Sequence, residues 1–173
     1  MAENPIPLDE VNLLSEDEFV SAFGDVAEHA PWVATEAADA RPFASRDAMI
    51  AAFQTAIAAA DLKRQRALLL AHPDLAGRAA TAGDLTQDSR REQAGAGLDR
   101  LTPAEFARFT ALNDEYRRRF GIHFIFAVRG ATKHDILGAF ERRLENSEEI
   151  EFAAALEQVG RIVSFRLEDR VSA

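Results

Sequence analysis

A helix-start signal with a long apolar stripe behind it constrains this chain more than any other feature. Thr102-Pro103-Ala104-Glu105 has Thr where a cap is needed, Pro at the first helical position and Glu at the third. The Thr hydroxyl and the Glu carboxylate can each take a backbone N–H that the first turn leaves unpaired, and Pro has no N–H to leave. Phe106, Phe109, Leu112, Tyr116 and Phe120 follow at steps of three and four, and Gly121 is placed to end the helix. A helix with such a face needs other elements to cover it.

Shorter pieces repeat the pattern. Ser15-Glu16-Asp17-Glu18 reads as a second capping box, with Phe19, Phe23 and Val26 spaced behind it and Pro31 expected to break that helix. Ser45 can cap a helix through Ala60, and Asp61 another from Leu62 to about Ala71, ended by His72-Pro73. Gly77–Gln87 is small and polar, hence loop-like. Ser89 can cap a helix through Leu98, although Gly95 and Gly97 each cost it about 1 kcal/mol relative to Ala. Thr132–Leu144 and Ser147–Leu167 fit two more helices, and Ile122–Val128 is the one strand-like run. The expected fold is all-α. It is a single compact domain over 1–173 with about seven or eight helices, one short extended segment near 122–128 and residues 1–12 loosely ordered.

Composition narrows the function. A chain of 173 residues, 47% of them hydrophobic, can bury one sizeable core. The absence of Cys excludes disulfide scaffolds, thiol nucleophiles and Cys-ligated metal. With 29 Asp and Glu against 20 Lys and Arg, the net charge of -9 argues against nucleic acid, though not against a small anion met by one well-placed cation. No stretch approaches the ~20 apolar residues of a spanning helix, and MAENPIPLDE is unlike a secretory signal. A cytoplasmic protein without a membrane partner is expected.

Few residues stand out as chemistry. His72 precedes a Pro at the abrupt end of an apolar helix, so its side chain can be steered away from the helix stripe, or it can simply cap that end. His29, His123 and His134 read as structural or solvent-exposed. No two His lie three or four apart, so no zinc site is expected. Ser89, Glu92 and Gln93 share a first helical turn, where Glu92 is either a capping partner of Ser89 or part of a polar-ligand site. Arg166 continues the stripe of Leu156, Val159, Ile162 and Val163, so its charge must be paired or must bind an anion. Arg161 points elsewhere, toward solvent.

Taken together, His72-Pro73-Asp74-Leu75-Ala76-Gly77-Arg78 and Ser89-x-x-Glu92-Gln93-x-x-Ala96-Gly97-Leu98 resemble the 2-oxo-4-hydroxy-4-carboxy-5-ureidoimidazoline (OHCU) decarboxylase family. Pro31-Trp32-Val33-Ala34, Arg41-Pro42-Phe43, Leu112-Asn113-x-x-Tyr116-x-x-x-Phe120-Gly121, Phe124–Val128 and Arg166-Leu167 extend the likeness along nearly the whole chain. The resemblance implies a cofactor-free helical enzyme of urate breakdown, usually a homodimer, that converts a small anionic ureidoimidazoline to (S)-allantoin. It maps the catalytic His onto His72 and its acidic partner onto Glu92. Substrate contacts map onto Pro73, Ser89, Gln93, the backbone of Phe124, Ile125, Phe126, Ala127 and Val128, and Arg166. The chain departs from the family's Gly-x-Pro-Phe with Gly121-Ile122-His123-Phe124. An inactive helical interaction module on the same scaffold is the alternative; its signature would be loss of His72 or Glu92, and both are present.

Overall fold

A computed structural model of the chain describes residues 4–77 and 85–173. Arg78 and most of the loop expected over 77–87 lie outside the described residues. In chain order the elements are β1 (Ile6–Pro7), α1 (Leu8–Leu13), α2 (Glu16–Phe23), α3 (Trp32–Ala38), α4 (Arg46–Ala59), α5 (Leu62–Ala71), α6 (Gln87–Gly95), α7 (Pro103–Phe120), α8 (Lys133–Arg143), α9 (Glu148–Arg170) and β2 (Val171–Ser172). The all-α expectation holds, and no helix among the described residues is long and apolar enough to cross a membrane.

Local chemistry explains most boundaries. Ser15 with Glu18, Thr102 with Glu105 and Thr132 with Asp135 form reciprocal capping boxes. Ser45 Oγ accepts from Ala48 N–H at 3.0 Å, and Asp61 Oδ1 from Arg64 N–H at 2.8 Å. Gly121, at φ 65°, closes α7 in the left-handed conformation that a side chain would disfavour.

Five expectations need correction. Thr86, not Ser89, caps α6: its hydroxyl accepts from Ser89 N–H at 3.2 Å, which places Ser89 inside the first turn. The same helix stops at Gly95 rather than Leu98, because Gly97 turns left-handed at φ 79° and Leu98 N–H returns to Gln93 C=O at 3.0 Å. Residues 6–12 are not loose, since Ile6 and Pro7 pair in parallel with Val171 and Ser172, and Val11 is fully buried in α1. That two-residue ladder is the sheet of the described residues; the run expected to be strand-like, 122–128, pairs with no other strand. Pro31 breaks nothing, as α2 has already ended at Phe23. Pro31 instead stands just ahead of α3, where a missing N–H is harmless.

The contacts fall into two compact units, residues 1–71 with 159–173, and 72–158. In the first, Phe19 gathers Phe23, Phe43 and Phe53, with ring centroids at 5.0, 6.1 and 6.1 Å. Asn12 secures the approach to α4 by exchanging two hydrogen bonds with the Phe43 backbone. In the second, the α7 stripe meets α8 and the 122–128 run: Phe124 stacks on Phe140 at 3.6 Å, and Tyr116 stands edge-on to Phe124 at 5.2 Å.

Candidate active site

The second unit begins at His72, and it contains every residue singled out for chemistry except Arg166. Helix α5 ends at Ala71 because Pro73 has no N–H to continue it and steers His72 out of the helical region. His72 is only 3% exposed. A buried imidazole at a helix end has to be held by the turn behind it, and each residue of that turn has a physical task.

The Asp74 carboxylate faces the His123 ring and the Arg117 guanidinium. Oδ1 lies 2.7 Å from His123 Nδ1, and Oδ2 accepts from Arg117 at the end of α7. Burial alone would raise the Asp74 carboxyl, but the hydrogen bonds and charges of His123 and Arg117 outweigh it and hold it below its ordinary value. Leu75 C=O accepts from Asn113 Nδ2 at 2.8 Å, and Ala76 N–H donates to Gln93 Oε1 at 3.0 Å. Ala76 is left-handed at φ 52°, a conformation that costs roughly 1–2 kcal/mol outside glycine. Gly77 is obligatory, since a Cβ there would fall 2.6 Å from Asp74 Cβ. The turn is therefore over-determined: side-chain amides from α6 and α7 fix its backbone, and an ion cluster fixes its carboxylate.

Helix α6 supplies the opposing polar face. Ser89, Glu92 and Gln93 stand at i, i+3 and i+4, one above another on one side of the helix. Ser89 and Gln93 are each 5% exposed and Glu92 is half-buried. Gln93 thus ties α6 directly to the His72 turn. The alternative role of Glu92 as capping partner of Ser89 falls away, because Thr86 is the cap.

The 124–128 run is held from one edge. Ile125 C=O accepts from Arg143 Nη1 at 2.7 Å, and Ala127 N–H donates to Gln158 Oε1 at 2.9 Å. Val128 C=O takes Ala131 N–H at 3.0 Å. Two of the five backbone positions mapped as substrate contacts, Ile125 and Ala127, are therefore already engaged by helix side chains. His123, which replaces the family's Pro, turns to Asp74. His29 and His134 are exposed, as read from the sequence.

Arg166 lies in the first unit and is 1% exposed. Nη2 donates to Glu28 Oε1 at 2.8 Å and Nη1 to Val26 C=O at 3.2 Å. Of the two roles open for a charge on that stripe, pairing is what the structure displays. Glu28 is itself left-handed at φ 58°.

Four residues given no role from the sequence shape this region: Asp74, Asn113, Arg143 and Gln158. Asn113 alone carried a usable signal, since it sits four beyond Phe109 on the buried face of α7. Among the described residues, no three His, Asp or Glu side chains gather as a metal site.

The family model for OHCU decarboxylase matches residues 12–168. The chain is 42% identical over 167 residues to the 2-oxo-4-hydroxy-4-carboxy-5-ureidoimidazoline decarboxylase of Haloferax volcanii, covering 96% of this chain and 97% of that one. It is 38% identical to the uric acid degradation bifunctional protein PucL of Bacillus subtilis over 95% of its own length but 33% of that protein's. Among solved structures, an (S)-allantoin synthase superposes with a TM-score of 0.78 at 30% identity, covering 97% of this chain and 54% of that one. An OHCU decarboxylase crystallised in the presence of (S)-allantoin shares the fold, with a TM-score of 0.68 at 19% identity over 83% of this chain and 92% of that one.

Proposed function

The chain belongs to the OHCU decarboxylase family, and from that premise we propose that it decarboxylates 2-oxo-4-hydroxy-4-carboxy-5-ureidoimidazoline to (S)-allantoin in urate breakdown. The observation that carries the reading is the buried His72 at the head of a turn that Gln93 ties to the Ser89–Glu92–Gln93 face.

The reaction breaks the bond between the carboxyl group and the ring carbon that also bears the hydroxyl. Its electron pair moves toward the neighbouring ring carbon, whose C=N takes the displaced pair on nitrogen, so the substrate carries its own electron sink. The hydroxyl becomes a carbonyl, and one face of the neighbouring carbon receives hydrogen. One proton is consumed as CO2 leaves. A free imidazole titrates at about pH 6.5, which makes His the side chain suited to trade protons near neutrality, and His72 does so at the hydroxyl. Glu92 orients His72 or accepts from the ureido nitrogens. Ser89, Gln93 and the 124–128 backbone read the amide-rich ring edges, and Pro73 lines the substrate beside His72. The resemblance gives Arg166 the substrate's carboxylate. Gripping that carboxylate harder in the ground state than in the transition state would slow the step. A homodimer located in the cytoplasm completes the proposal.

The test generates the substrate in situ from urate with upstream enzymes and follows the circular dichroism of allantoin with and without this protein. The protein should accelerate the appearance of the (S) signal, and His72→Ala should lower kcat by about 10²–10⁴-fold with the fold intact. Near-normal turnover by that variant would sink the assignment. Glu92→Gln should lose rate in kcat; an effect confined to KM reassigns it to binding.

A further inference from the structure

The second unit holds a buried charged cluster that the proposed chemistry does not use. Glu151 of α9 is completely buried. Its carboxylate accepts from Tyr116 Oη of α7, from Asn146 Nδ2 at 2.8 Å and from Arg143 Nε at 3.1 Å, with Arg143 Nη2 also 2.9 Å away. Burial and the Glu151 acceptor push the Tyr116 hydroxyl well above its ordinary pKa, so Tyr116 remains a donor. Replacing such a cluster with apolar side chains of similar volume is often neutral or stabilising, so stability alone does not account for it. What the cluster achieves is to aim one guanidinium. Arg143 lies 4.5 Å over the Phe124 ring and directs Nη1 at the Ile125 carbonyl.

That carbonyl belongs to a run with a particular difficulty. Among the described residues no strand neighbours 123–128, yet their backbone groups still need partners. In extended backbone, alternate residues turn N–H and C=O to the same edge. Ile125 and Ala127 share an edge, and Arg143 and Gln158 occupy it as a strand would. The Phe124 and Phe126 rings, two residues apart, lie parallel to within 7° with centroids 6.3 Å apart, the same-face spacing of extended backbone. Phe124 and Phe126 therefore present their N–H and C=O at the opposite edge, where neither makes a backbone hydrogen bond among the described residues.

We propose that Arg143 and Gln158 are positioning residues that hold one edge of the 124–128 run as a substitute strand, so that the other edge, at Phe126, receives the amide-rich ring edge of the ligand. The identity of that ligand rests on the decarboxylase reading; the geometry of the clamp does not. Amide hydrogen exchange on the full chain, with (S)-allantoin as probe, separates the two. In the free protein Ala127 N–H should exchange at least about tenfold more slowly than Phe126 N–H, the protection of one buried hydrogen bond. Saturating (S)-allantoin should slow Phe126 selectively. Equal exchange at both positions, or a Phe126 indifferent to (S)-allantoin, overturns the proposal.

Turnover supplies the second readout. Gln158→Leu should raise KM by about tenfold with kcat little changed, the loss expected for one ordering hydrogen bond. Gln158→Glu keeps an acceptor oxygen and should restore KM. Wild-type KM in Gln158→Leu overturns the clamp. A wild-type protein that binds (S)-allantoin through Phe126 but fails to form it overturns the activity and leaves the clamp standing.

Discussion

Among the described residues each unit has one buried Arg–Glu pair, and the two are built differently. In the first, Arg166 of α9 meets Glu28, whose backbone is left-handed, and also donates to Val26 C=O. Both side chains are 1% exposed. In the second, Arg143 of α8 meets Glu151, which also accepts from Tyr116 and Asn146, and the spare guanidinium nitrogen goes to the Ile125 carbonyl. The first pair places its acid on a strained turn. The second places its acid on a regular helix and extends its reach to an irregular segment. A buried ion pair says little about stability by itself; where its remaining donors point says what it is for.

The comparison can be broken most forcefully by removing the acids. Glu151→Ala and Glu28→Ala should each cost about 3–5 kcal/mol, because each strands a buried guanidinium, and urea unfolding measures it. A loss under about 1 kcal/mol at either position would mean that water or another group already compensates the cation there. The isosteric variants sharpen the contrast through opposite effects on KM. Glu151→Gln loosens Arg143 and should raise KM; under the role proposed for Arg166, Glu28→Gln strengthens its hold on the substrate's carboxylate and should lower KM and kcat together. Movement in the same direction would merge the two pairs into one structural role.

A smaller effect is expected beside His72. Asp74→Asn should cost about 2 kcal/mol at neutral pH. The folded pKa of Asp74 is depressed, so its contribution is present above the unfolded value of about 3.9 and is lost as pH falls through the lower folded value. The variant should therefore lose most at neutral pH and converge on wild type in acid; a constant difference across pH would sink the ion-cluster account. Smallest is the strain at Glu28. Glu28→Gly should be more stable than Glu28→Ala by about 0.5–1 kcal/mol, because only glycine accepts φ 58° without penalty. Equal stabilities would show that the turn relaxes when the pair is cut.

Legibility followed locality. Caps at Ser15, Ser45, Asp61 and Thr102 were readable because a cap and its partner lie within three residues. Thr86 was missed because Ser89 carries the same chemistry three residues on, and the sequence does not say which hydroxyl lies outside the helix. Arg166 was conspicuous as a charge on an apolar stripe. Arg143 was not, since a basic residue in the last turn of a helix is ordinary. Gln158 looked like any half-exposed polar residue of α9. His123 showed only as a departure from the family pattern, and its partner Asp74 lies 49 positions away.

By itself the sequence determined the helical class, most helix starts, the absence of thiol chemistry, and a family resemblance carried by His72, Glu92 and their neighbours. Those depend on contacts within a turn or two, or on which residues the chain contains. Only the tertiary structure decided that Ile6–Pro7 pairs with Val171–Ser172, that Arg166 is bound to Glu28, and that the 124–128 run is held by helices rather than by a strand. Each of these joins residues far apart in the chain. A hydrogen bond needs its partner within about 3 Å, and which distant residue arrives there is settled by packing.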